Sequence, residues 1–167
     1  MKRITTLAFL FLSLNTLAQQ APDWGKWTRL IGEWKGEGNG KPGQGSGTFT
    51  IKPDLDKRIL VRKAHSEYPA KDGGKATVHD DMLIVYPDNT GTPTKAIYFD
   101  NEGHTISYSV VYNGNLIIMT SEKIPNMPVF RLTYVILDDK TVDTKFEMSQ
   151  DGDSFMTYVQ GTSKKVK

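Results

Sequence analysis

The sequence predicts an all-β fold: an antiparallel up-and-down β-barrel of about ten strands, preceded by one short N-terminal helix. Three observations predict it. Strand-type segments recur roughly every ten residues, with turn formers between them. Several segments alternate apolar and polar residues, as a sheet with one face on a core requires. Helix signals are almost absent after residue 30.

The chain opens with Lys2 and Arg3, an apolar stretch from Ile4 to Leu17, and small residues at Thr16 and Ala18. That order is the grammar of a secretory signal peptide over residues 1–18, too short for a membrane span. The expected product is residues 19–167, one exported barrel domain, periplasmic or secreted. No cysteine follows the apolar stretch, so no lipid anchor is expected there. The formal charge of +2 is carried by Lys2 and Arg3, leaving the rest balanced. Nothing in that balance argues for a nucleic-acid partner. The absence of cysteine excludes thiol catalysis and thiolate metal sites and leaves stability to burial and backbone pairing.

Residues 21–30 form the helical candidate, with Pro22 and Asp23 at its start and Trp27 and Leu30 on one face, although Gly25 weakens it. Strands are expected at 31–38, 46–52, 58–67, 78–86, 95–100, 104–112, 115–122, 129–137, 141–149 and 154–162. Turn chemistry separates them: Pro53 to Asp56, Pro87 to Gly91, Asn101 to Gly103, Asn113-Gly114, Asp138 to Lys140 and Gln150 to Asp153. Asn113-Gly114 suits a two-residue hairpin of type I′. The run at 38–47, rich in glycine, reads as a hairpin loop. In 104–112, Ile106, Tyr108, Val110 and Tyr112 share a face; in 129–137, Phe130, Leu132, Tyr134 and Ile136 do. In 141–149 the apolar parity holds Val142, Phe146 and Met148 together with Thr144. Closing such a meander into a barrel removes its exposed edges.

The segment Leu-Ile-Gly-Glu-Trp-Lys-Gly-Glu-Gly at 30–38 resembles the first strand of calycins, the superfamily of lipocalins and fatty-acid-binding proteins. Its extended pattern Gly32-x-Trp34-x-Gly36-x-Gly38 is more similar to the nitrobindin-like barrels and related bacterial lipocalin-like domains, as is Tyr98 to Val110. The resemblance implies a barrel whose first-strand tryptophan, Trp34, fills the closed end under a basic side chain, here Lys164 or Lys165. It also implies, for nitrobindins, a haem held by a histidine on a strand near the C-terminus. This chain departs from that pattern: its histidines are His65, His79 and His104, all earlier. Haem, and any other cofactor, is therefore not expected.

The favoured reading is a binding protein for a small hydrophobic or amphipathic molecule held inside the barrel. Its candidate ligand-binding residues are Tyr108, Tyr112, Tyr134, Phe146 and Met148, with Arg62 and Arg131 available to a carboxylate if they point inward. Phe130 and Leu132 are further wall candidates. The alternatives are an enzyme or a haem or metal protein using His65, Glu67 and His104, or a filled barrel with a structural role. No catalytic residue is assigned, because neither a nucleophile–base pair nor fixed metal-ligand spacing is present. Gly45-Ser46-Gly47 lacks a nucleophile elbow, and Asp151-Gly152-Asp153 is a turn rather than a calcium loop.

Overall fold

A computed structural model describes residues 21–36, 46–70 and 75–167. The expected signal peptide and most of the 38–47 loop lie outside the described residues. A one-turn helix, α1 (Trp27–Leu30), leads into β1 (Gly32–Gly36), β2 (Ser46–Asp54), β3 (Ile59–Tyr68), β4 (Thr77–Tyr86) and β5 (Lys95–Asp100). The chain continues through β6 (Thr105–Asn113), β7 (Leu116–Ser121), β8 (Val129–Ile136), β9 (Thr141–Ser149) and β10 (Met156–Lys165). Each strand pairs antiparallel with its sequence neighbours, and β1 closes the barrel against β10. The all-β up-and-down barrel expected from the alternation is the fold observed.

The expected helix is shorter than its sequence window. Gly25 takes φ +47°, which breaks the run from Pro22, so only Trp27–Leu30 is helical. Pro53 and Asp54, expected in a turn, extend β2 and pair with Leu60 and Ile59. This is possible because β1 pairs with β2 no further than Ile51, leaving Pro53 an edge position on that side. The turn itself is Leu55, Asp56 and Lys57, all at positive φ. The β6–β7 hairpin is displaced by one residue: Asn113 pairs with Leu116, so Gly114 and Asn115 form the loop. Positive φ falls on Gly114 and not on Asn115, which is the type II′ rather than the type I′ arrangement.

One end of the barrel is plugged. Trp27, Leu30 and Trp34 are almost fully buried, with Ile51, Leu60, Val85, Ala96, Ile117, Ile136 and Val142 around them. The indole nitrogens fix this plug: Trp24 donates to the Lys57 carbonyl at 3.1 Å, Trp27 to Tyr112 Oη at 2.9 Å and Trp34 to the Leu30 carbonyl at 2.8 Å. Each buried N–H thus has an acceptor, as a tryptophan core requires. Trp34 also stacks on Phe49, with 5.7 Å between ring centroids.

Candidate functional site

Register decides which side chains meet inside. Directly paired residues share a face of the sheet, so Arg62, opposite Leu83, lies on the inward face with Leu60 and Ala64. Ala64 is opposite Asp81, Asp81 opposite Asp100, Leu83 opposite Tyr98 and Ala96 opposite Tyr108. On the far wall Tyr134 faces inward with its partners Ile117 and Thr144. The topology therefore places a polar cluster above the apolar plug.

At its centre Arg62 Nη1 pairs with Asp81 Oδ1, the two side chains being 12% and 8% exposed. The guanidinium carbon stands 5.2 Å from the centroid of Phe49, whose face accepts the cation. Burial alone would lower the guanidinium pKa, but Tyr134, Asp81 and Tyr98 outweigh it and raise it, so Arg62 stays cationic. Burial is also the leading reason that the phenol pKa values of Tyr98, Tyr108 and Tyr134 are raised, and these groups remain protonated. Tyr98 Oη lies 2.8 Å from His79 Nε2 and 3.3 Å from Asp100 Oδ2. His79 Nδ1 is 3.0 Å from Glu102 Oε1. A relay of hydrogen bonds thus runs from the rim at Glu102 to the interior at Tyr98.

Among the described residues, three polar atoms of this region are buried with no hydrogen-bond partner: Arg62 Nε, Tyr134 Oη and Thr144 Oγ1. All three belong to inward-facing side chains. A buried donor left unpaired costs free energy, about 1–3 kcal/mol each, so such atoms are uncommon in a settled core.

Towards the other end the inward residues change character. Phe130, Phe146, Met148, Tyr98 and Ile106 share the inward parity but are only half-buried. Phe130 and Phe146 stack at 5.8 Å, and the exposed Tyr158 meets Phe146 edge-on at 6.3 Å. Gly161 shares the face of Thr144, and a Cβ placed there would meet no heavy atom within 4 Å. The tryptophan end is filled, and among the described residues the inward side chains of the opposite half are only half-buried.

The sequence-predicted residues divide accordingly. Arg62, Tyr108 and Tyr134 come together around Asp81, while Phe146 and Met148 line the opposite half. Tyr112 belongs to the plug: its hydroxyl accepts from Trp27 and donates to the Pro93 carbonyl. Arg131 has the outward parity of its partner Glu147, which it meets at 2.7 Å, and it lies 3.8 Å from the Phe155 ring centroid. The structure therefore leaves Arg131 out of the interior. His65 looks outward from β3, with Asp80 at 2.7 Å and Glu67 at 3.3 Å, and His104 sits on Asp100 at 2.9 Å. Among the described residues no three His, Asp or Glu side chains form a group suited to a metal ion. Asp81, Phe49, Tyr98 and His79 are interior residues that the sequence pattern does not single out, whereas Thr144 already shares the apolar parity of Phe146 and Met148. The strands of those four are apolar on both parities or their partners unknown, so only the register assigns them.

The fold and site define a closed ten-stranded antiparallel barrel with a buried polar cluster between a tryptophan plug and a half-buried aromatic region. The chain is similar to the crystal structure of Rv2717c from M. tuberculosis, with a TM-score of 0.56 and 12% identity over 86% of this chain and 98% of that one. At that identity the likeness establishes the fold alone. No protein-family model matches the sequence, and no curated protein does.

Proposed function

We propose that this protein binds a small amphipathic molecule inside its barrel, through the half opposite the tryptophan plug. One observation carries the reading: inward-facing aromatic and aliphatic side chains keep solvent exposure directly above a buried cluster with unpartnered polar atoms. A filled core of this size has no reason to leave Phe130 and Phe146 half-exposed on the inner face. The apolar wall supplies area for a hydrocarbon portion. Arg62 Nε and Tyr134 Oη supply hydrogen bonds for a polar end. The barrel form, the Gly32-x-Trp34 strand and the basic side chain over Trp34 support kinship with the calycin and nitrobindin-like barrels. The signal-like residues 1–18 support export to the periplasm or beyond.

Titration with Nile red, an uncharged apolar dye, tests the reading. The wild-type protein should bind it one-to-one with a blue-shifted emission. Gly161→Leu should abolish that signal, since a Cβ at this inward position meets no heavy atom within 4 Å and the rest of the side chain would take up ligand space. Unchanged dye binding in a folded Gly161→Leu variant would count against an interior site.

A further inference from the structure

The charges around Arg62 restrict the polar end of the ligand, given that the interior is a ligand chamber as just proposed. Arg62 supplies the cation of the cluster, and Asp81 already neutralises it. A second carboxylate stands beside that pair: Asp100 is directly opposite Asp81 on β5, and its side chain is 3% exposed. Burial pushes the Asp100 pKa up, but the amides of His104 and Glu102 and the His104 ring pull it below the ordinary aspartate value, so it is ionised. His104, its counter-charge when protonated, is 61% exposed at the rim.

A carboxylate arriving at Arg62 would be a second anion on a guanidinium that Asp81 already pairs, with the Asp100 carboxylate standing opposite Asp81. Charge repulsion at such distances, in a partly desolvated site, exceeds what one added hydrogen bond returns. An uncharged oxygen meets no such penalty. Arg62 Nε–H can only donate, while the hydroxyls of Tyr134 and Thr144 can donate or accept. The unpartnered atoms therefore call for an acceptor at Arg62 and tolerate either kind of atom beside it.

We infer that the chamber selects an uncharged amphipathic ligand ending in a carbonyl-type oxygen, an amide, ketone or ester, and discriminates against the matching carboxylate. The oxygen accepts from Arg62 Nε–H and from Tyr134 Oη–H, and the hydrocarbon lies along Phe130, Phe146 and Met148. The three unpartnered atoms have almost no accessible surface of their own, so the ligand reaches them as the side chains above them part.

Competition with Nile red, using lauramide, methyl laurate and lauric acid at a pH where the acid is ionised, tests this. Lauramide should displace the dye at least tenfold more tightly than lauric acid, with methyl laurate nearer the amide. Asp81→Asn removes one anion and unmasks the arginine, and should move the preference at least tenfold towards the acid. Equal or tighter binding of lauric acid to the wild-type protein overturns the inference while leaving an interior site intact. So does an unchanged preference in a folded Asp81→Asn variant. If no laurate derivative displaces the dye, the inference fails, and if Nile red itself does not bind, the chamber reading fails with it. The wild-type comparison decides the matter even if the Asp81→Asn chain does not fold.

Discussion

Lys165 Nζ stands 5.1 Å from the centroid of the Trp34 ring and donates to the Arg29 carbonyl at 2.9 Å. The last strand thereby clasps both the first strand and the end of α1. Removing the ammonium by Lys165→Met should cost about 0.5–1 kcal/mol, the range for a cation over an aromatic face at a partly exposed site. Trp34→Ala should cost far more, about 3–5 kcal/mol, because it also empties the space against Phe49 and frees the Leu30 carbonyl. Urea denaturation of the two variants checks the ordering.

Tyr112 separates a ligand-contacting role from a structural one. Its hydroxyl is committed to Trp27 and to the Pro93 carbonyl. Tyr112→Phe keeps the ring but leaves the Trp27 indole N–H without its acceptor in a closed core. A loss of about 1–3 kcal/mol is expected, with Nile red affinity unchanged. Weaker dye binding at unchanged stability would instead return Tyr112 to the ligand wall.

These two residues also mark what the sequence could disclose. Alternation in β6 and β8 assigns Tyr108, Tyr112 and Tyr134 to one face, because Ser107, Ser109 and Thr133 contrast with them. Alternation does not assign height along the barrel, and height is what makes Tyr112 a plug residue and Tyr134 a member of the polar cluster. In β4 the residues Met82, Leu83, Ile84 and Val85 are apolar on both parities, so nothing local says that Asp81 points inward. Its partner Arg62 lies 19 residues away, across a hairpin whose register the sequence leaves open. Arg131 shows the opposite case: it is a sequence candidate for a ligand carboxylate although it shares the polar parity of Thr133, and the pairing with Glu147 puts it outside. The site is composed of long-range pairings, which is why its members were less legible than its strands.

The loop between β4 and β5 should respond to acid in a defined window. Asp88 Oδ1 accepts from the Thr90 amide and hydroxyl, and Oδ2 from the Thr94 hydroxyl, which lower its pKa from 3.8 to about 2. A depressed carboxyl pKa means that the folded state prefers the anion. Its stabilisation is complete above pH 3.8 and is lost as the pH falls through about 2. Carboxyl NMR titration should give a midpoint near 2 for Asp88. An Asp88→Asn chain should show a shallower loss of stability across that window. A midpoint at the ordinary aspartate value would remove Asp88 as a contributor.

The buried pair at Arg62 can be dissected by a double-mutant cycle. Arg62→Met strands Asp81 in a site where its side chain is 8% exposed, and Asp81→Leu strands Arg62 at 12%. Removing one partner of a buried pair costs about 3–5 kcal/mol, since the remaining charge keeps its desolvation penalty and loses its attraction. Removing both leaves an apolar interior of similar volume and should recover most of that loss, so the double variant should be more stable than either single one and the cycle strongly non-additive. The double variant should nevertheless lose its preference for lauramide over lauric acid, because neither the Arg62 donor nor the Asp81 charge remains. Stability recovered with selectivity lost would mean that the pair is retained for recognition rather than for folding. Additive stability losses in the cycle would show instead that the two side chains do not interact as drawn.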